Sequence, residues 1–211
     1  MITCIPVHEL KRTPSMLWTL PNILTWLRIA AIPLIVVLFY LPYHWADPAA
    51  GLLVAAAGIT DSLDGYFARR FGQTSRLGAF LDPVADKLIV AVALVLIVTR
   101  GAPALFGFSA ATVDVILVLS AMVIIGREIA ISALREWMAE IGQRKKVAVS
   151  QLGKHKTILQ IVGLSLLLYR WDLFGLSTYA LGIAFTVIAA ALTLFSMFVY
   201  LRAAWPELRA R

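Results

Sequence analysis

Asp61, Asp64, Asp82 and Asp86 are the residues of this 211-residue chain best suited to chemistry. They lie in the run Asp61-Ser-Leu-Asp64-Gly65-Tyr-Phe-Ala68-Arg69 and, a short loop later, Gly78-Ala-Phe-Leu-Asp82-Pro-Val-Ala-Asp86, with long apolar stretches on either side. A carboxylate inside a membrane segment costs a few kcal/mol or more. Four so close together need a compensating charge, and a divalent metal is the simplest source. Oxygen-only ligands suit Mg²⁺ or Mn²⁺ rather than zinc. Two such ions would neutralise the cluster and clamp a phosphate. A purely structural charge cluster is the weaker alternative, because packing alone seldom justifies that cost.

The elements that must position these residues are two helices joined by a loop centred near Thr74. At about 100° per residue, Asp61, Asp64, Gly65 and Ala68 share roughly a third of one helix's circumference, and Asp82 and Asp86 share a face of the next. Asp61 and Asp86 are nearly equidistant from the loop, as are Asp64 and Asp82. The hairpin is therefore expected to stack the carboxylates in two layers, Asp61 with Asp86 in the deeper one. Gly65, Ala68 and Gly78 either leave room for a ligand on this face or allow close helix packing, which small residues also serve in membranes.

The rest of the chain reads as one all-α polytopic membrane domain. It is 61% hydrophobic with a mean hydropathy of +0.85, against about half apolar for a soluble domain. Six spans are expected, each near the roughly 20 residues that cross a hydrocarbon core: 22–41, 47–69, 81–99, 111–136, 152–169 and 177–200. They make a six-helix domain over 21–201, with a surface-lying or disordered tail over 1–20 and a short tail over 202–211. The net charge of +7 would suggest nucleic acid in a soluble protein. Here no nucleic-acid partner is expected: the basic residues crowd the loops that face anionic headgroups. Arg69, Arg70 and Arg76 follow span two, and Arg135, Arg144, Lys145, Lys146, Lys154 and Lys156 follow span four. The other side shows only Arg100 and Arg170, so both termini and the aspartate hairpin are expected on the cytoplasmic side. Trp26, Trp45, Trp137, Trp171 and Trp205 fall near span ends, as interfacial belts do. The lone Cys4 excludes a disulfide framework or a cysteine metal site. His8, His44 and His155 are too scattered to form a ligand set.

The eight positions Asp61, Asp64, Gly65, Ala68, Arg69, Gly78, Asp82 and Asp86 match the D-x2-D-G-x2-A-R-x8-G-x3-D-x3-D signature, and the chain resembles the CDP-alcohol phosphotransferases. Further segments resemble the phosphatidylglycerophosphate-forming branch of that family: Pro21 to Arg28, Gly78 to Lys87, Arg127-Glu-Ile, Ser132 to Glu140 and Gly153 to Thr157. The likeness covers nearly everything from about residue 20 onward. It implies a six-helix homodimer in a bacterial inner membrane. It implies transfer of a phosphatidyl group from CDP-diacylglycerol to sn-glycerol 3-phosphate, with Mg²⁺ or Mn²⁺, two ions per site.

The resemblance also implies roles. Asp61, Asp64 and Asp82 would ligate metal and hold the CDP pyrophosphate. Asp86 would ligate the second ion and act as general base. Gly65, Ala68, Arg69 and Gly78 would line the CDP site, with Thr25 and Arg28 helping to close it. A phosphate-monoester acceptor needs cations, and Arg127, Arg135, Lys154, Lys156 and Arg76 are the candidates. Arg127, deep in an apolar run, is either functional or held in an internal ion pair with Glu128 or another helix. Arg135, Lys154 and Lys156 also satisfy the charge asymmetry alone. A phosphatidylserine, phosphatidylinositol phosphate or cardiolipin synthase of the same family is the near alternative. An ion-coupled transporter is the remote one, since intramembrane acids also mark transport paths.

Overall fold

Six helices follow one another in the computed structural model: α1 Leu20–Tyr40, α2 Ala46–Phe71, α3 Arg76–Arg100, α4 Ala110–Glu140, α5 Gln151–Tyr169 and α6 Thr178–Arg209. The structure describes residues 20–71, 76–143, 147 and 151–209, and leaves the side chains of 20–22, 62–71, 76–80 and 151–155 undescribed. Among the described residues there is no strand beyond two isolated bridges. Three helices are long and apolar enough to cross a membrane: α1 through Ile23–Tyr40, α4 and α6. The described part of α5 adds a shorter apolar stretch, Lys156–Tyr169, while α2 and α3 carry the aspartates.

Two helix ends differ most from the hydropathy reading. Helix α3 begins at Arg76 rather than Leu81, and α6 runs to Arg209 rather than Tyr200. Hydropathy marks where side chains meet lipid, whereas the backbone keeps its helical bonds into the polar zone. At about 1.5 Å per residue, the 31 residues of α4 and 32 of α6 outreach a hydrocarbon core of about 30 Å. Their far ends pack together through Ile131, Met138, Tyr200 and Ala204, joined by Val147 from the α4–α5 connection.

Helix α5 is the central element, packed on α6 and α2, while α1 packs on α2 and α3, and α4 on α6. Without a hydrophobic driving force between lipid-solvated helices, close backbone approach and hydrogen bonding must hold such pairs. Glycines supply the approach. A Cβ on Gly58 of α2 would lie 2.5 Å from Ile161 Cγ2 of α5, and one on Gly51 2.6 Å from the Ser165 carbonyl. Across the α5–α6 seam, a Cβ on Gly163 would lie 2.7 Å from Thr186 Oγ1, and one on Gly182 2.8 Å from Leu167 Cγ. The main core draws on all six helices, with Ile35, Val54, Ala93, Ile124, Leu164 and Ile183 among its buried members. Three hydroxyls inside helices, those of Ser120, Ser132 and Ser165, donate to carbonyls one turn back.

The α3–α4 and α5–α6 connections have the same design. Leu105 bonds Phe108 around Phe106 and Gly107, and Leu173 bonds Leu176 around Phe174 and Gly175. Both central residues of each turn have positive φ, from 52° to 79°, the conformation of a tight mirror-image turn. Phe174 is fully exposed. Arg100 at the end of α3 donates to Asp47 and to the Phe39 carbonyl, with its guanidinium 3.9 Å above the Phe39 ring. Trp26, Trp45, Trp171 and Trp205 are exposed at helix ends, whereas Trp137 packs on the α4–α6 cluster.

Candidate active site

Helix α1 delivers Thr25 and Arg28 to the aspartates of α2 and α3. Both are nearly fully buried. They lie three residues apart, one helical turn, and meet Asp82 and Asp86, which lie four apart on α3. Thr25 Oγ1 donates to Asp82 Oδ1. Arg28 NH1 donates to Asp86 Oδ1 at 2.5 Å and stands 3.2 Å from Asp61 Oδ1. One guanidinium thus joins the inner carboxylates of α2 and α3. Arg28 is buried while Asp61 and Asp86 remain about 40% exposed, so the carboxylates face open space on their other side.

That space is a cavity of about 800 Å³. Asp61, Asp82 and Asp86 line one part of it, and Gly51, Gly58, Ile161 and Tyr169 are among its largely apolar walls. The volume is that of a site for a drug-sized ligand. The reach from acids to apolar wall suits a molecule with a charged head and an oily body.

A second polar group lies where α4, α5 and α6 meet. Glu128 Oε1 accepts from Lys156 Nζ at 2.6 Å and from Arg127 NH1 at 2.9 Å. Arg127 NH2 donates to Ser196 Oγ at 3.1 Å. Arg135 NH2 donates to Tyr200 OH at 3.1 Å, and its guanidinium lies 5.1 Å from the centre of that ring. Arg127 and Lys156 are both buried. Glu128 lines the same cavity as the aspartates. The Arg127–Glu128 ion pair anticipated from the sequence is therefore present, and it belongs to a larger set.

The structure brings Thr25, Arg28, Asp61, Asp82 and Asp86 together, and separately Arg127, Arg135 and Lys156. Asp64, Gly65, Ala68, Arg69, Arg76, Gly78 and Lys154 lie outside the described side chains. Three cavity-lining residues were not singled out from the sequence: Lys87, Glu128 as a junction, and Gln160. The available signal was the same for Lys87 and Glu128, a charge next to a chosen residue in an apolar helix.

Among the described residues, no three or more His, Cys, Asp or Glu side chains are grouped closely enough to hold an ion. The donor chemistry nevertheless fits a hard divalent cation. Asp61 and Asp86 offer carboxylate oxygens that converge on one guanidinium, Asp82 is one turn away, and no sulfur or imidazole competes among the described residues. A bound cation would share or take over the carboxylates that Arg28 now neutralises.

A helical chain with membrane-length apolar helices and acids at the head of an oily cavity has the layout of an enzyme for lipid substrates. The model described as CDP-alcohol phosphatidyltransferase matches residues 18–201, and the chain belongs to that family. Relatives named CDP-diacylglycerol–glycerol-3-phosphate 3-phosphatidyltransferase match over most of their length. The Pseudomonas fluorescens protein is 49% identical over 191 residues, covering 90% of this chain and 92% of the relative. Those of Salmonella choleraesuis (strain SC-B67) and Escherichia coli (strain K12) are 48% and 47% identical over 193 residues, covering 92% of this chain and 98% of each relative.

Proposed function

We infer that this protein transfers the phosphatidyl group of CDP-diacylglycerol to sn-glycerol 3-phosphate, yielding phosphatidylglycerophosphate and CMP. The carrying observation is the shared cavity. Asp61, Asp82 and Asp86 line it, as does Glu128, whose partners Arg127 and Lys156 are buried beside it, and apolar helix faces line the rest. Together these support a reading with a diphosphate site, an acceptor-phosphate site and a groove for acyl chains. The names of the relatives supply the identity of the two substrates.

The reaction is read as an in-line displacement. The primary hydroxyl of glycerol 3-phosphate attacks the lipid-side phosphorus. A P–O bond forms there as the P–O bond to CMP breaks, and CMP carries away the bonding pair. Asp86, at the cavity wall, takes the hydroxyl proton. Arg28 holds Asp86 and Asp61 in register, and Thr25 holds Asp82. Mg²⁺ or Mn²⁺ held by Asp61, Asp64, Asp82 and Asp86, two ions in this reading, would neutralise charge on the diphosphate and acidify the attacking hydroxyl. Gly65, Ala68, Arg69 and Gly78 would line the cytidine end. Arg127, Arg135, Lys154 and Lys156, with Arg76, would receive the acceptor's phosphate.

The proposed setting is a bacterial inner membrane, with six spans, cytoplasmic termini, a site opening to the cytoplasm, and a homodimer as the working form. The test is CMP release by the purified full chain with CDP-diacylglycerol and Mg²⁺, with acceptors supplied one at a time. Release with glycerol 3-phosphate, and none with serine, inositol 1-phosphate or phosphatidylglycerol, is expected. Release with another acceptor alone would overturn the substrate, and no release with any would overturn the enzyme reading.

A further inference from the structure

We propose that Glu128 is a positioning residue for the acceptor: its carboxylate fixes Lys156 and Arg127 as one cationic unit that receives the phosphate monoester. The proposal rests on the phosphatidyl-transfer reading and deepens it.

The geometry of a single oxygen carries the argument. Glu128 Oε1 accepts from both Lys156 Nζ and Arg127 NH1. These cations come from different helices, α5 and α4, and the carboxylate is what ties them. Both are buried, so neither can snorkel to water as a long basic side chain ordinarily does. Without an anion between them they would repel each other.

The donors left over point to a ligand. Lys156 has three N–H donors, and Glu128 engages one of them in a described bond. Arg127 Nε and Arg135 Nε are buried with no hydrogen-bond partner among the described residues. Tyr200 gathers the two arginines, with its ring centre 5.9 Å from Arg127 and 5.1 Å from Arg135. With Arg135 beside it, the unit counts three cations against one carboxylate among the described residues, two net positive charges. A phosphate monoester carries close to two negative charges at neutral pH. The unit is therefore matched in charge to a monoester, not to a neutral or zwitterionic alcohol.

Glu128 lines the cavity, and its cations sit behind it. The carboxylate thus sets how far they reach toward the reacting groups. It need not touch the acceptor to do so.

Steady-state CMP release by the full chain separates the possibilities, with glycerol 3-phosphate and CDP-diacylglycerol varied in turn. For Glu128→Gln, which keeps shape and removes charge, the KM for glycerol 3-phosphate is expected to rise tenfold or more, while the KM for CDP-diacylglycerol stays within threefold. Glu128→Asp recovers part of the difference and carries the same split if the Gln variant does not fold. Thermal stabilisation by glycerol 3-phosphate should weaken in parallel. Lys156→Gln is the control for the underlying reading. If it raises the acceptor KM and the Glu128 variants do not, the positioning role is overturned and the acceptor site stands. If none of them moves the acceptor KM, the acceptor site itself is wrong. If the Glu128 variants raise both KM values equally, or lower stability alone, Glu128 serves the fold only.

Discussion

Arg28 NH1 lies 2.5 Å from Asp86 Oδ1, which makes a buried arginine of α1 the resident counter-charge of the acid cluster. The same nitrogen is 3.2 Å from Asp61. In the absence of metal this guanidinium keeps two facing carboxylates from repelling each other. Arg28→Gln should therefore make folding depend on metal. Breaking a fully buried pair costs about 3–5 kcal/mol, and the partial exposure of both carboxylates lowers the expected loss to about 2 kcal/mol. The unfolding temperature of the variant should fall in EDTA and recover with Mg²⁺ or Mn²⁺, whereas the parent protein should respond weakly. An identical response in both proteins would remove Arg28 from this role.

Asp86→Asn, assayed at saturating metal because it also removes a ligand oxygen, tests the base. The amide keeps the shape and can still meet Arg28, but it cannot take a proton. A positioned general base contributes about 10²–10⁴-fold, so turnover should fall within that range while the KM for CDP-diacylglycerol changes little. A variant that retains most of the turnover would show that the proton goes elsewhere.

Chelation is expected to abolish CMP release, with Mg²⁺ or Mn²⁺ restoring it. Asp61→Asn and Asp82→Asn should each raise the metal concentration needed for half-maximal activity, because each removes a carboxylate oxygen. Activity that persists after exhaustive chelation would contradict the metal assignment.

Much of this was legible in the chain, and the reasons are physical. Each helix announces itself by an apolar run broken at Pro42, Gly101 or Gly175, and the cost of intramembrane charge singles out the aspartates. Less legible were relations between distant residues. Thr25 meets Asp82 across 57 positions, and Lys156 meets Glu128 across 28. No periodicity carries that information. The start of α3 at Arg76 and the end of α6 at Arg209 were also hidden, because polar side chains at the headgroups do not interrupt a helix.

The glycine seams had no signal in spacing alone, and they give a paired test. A Cβ at Gly163 would meet Thr186 Oγ1 at 2.7 Å and the Thr186 backbone nitrogen at 3.0 Å. The backbone contact cannot be relieved by turning a side chain, so α5 and α6 must move apart. Gly163→Ala should cost about 1–3 kcal/mol, the usual penalty of overpacking, read as a lower unfolding temperature in detergent. Gly126 of α4 has nothing within 4 Å of such a Cβ. Gly126→Ala should be neutral or slightly stabilising, since Ala is the better helix former by about 1 kcal/mol. Equal effects at the two positions would mean that this close approach does not hold the seam.

The orientation can be read from two positions at opposite ends of the bundle. Phe174, in the α5–α6 turn, is fully exposed. The basic residues of its side are few and engaged: Arg100 holds Asp47, and Arg170 lies 5.3 Å from the centre of the Tyr179 ring. Gln143 follows α4, just before Arg144, Lys145 and Lys146. Lys and Arg accumulate on the cytoplasmic side, so Phe174 should face outward and Gln143 inward. With Cys4 replaced by serine, Phe174→Cys should react with a membrane-impermeant maleimide on intact spheroplasts. Gln143→Cys should react only after permeabilisation. The reverse pattern would place the aspartates and the cation unit on the outer side, away from a cytoplasmic supply of glycerol 3-phosphate, and would overturn the proposed topology.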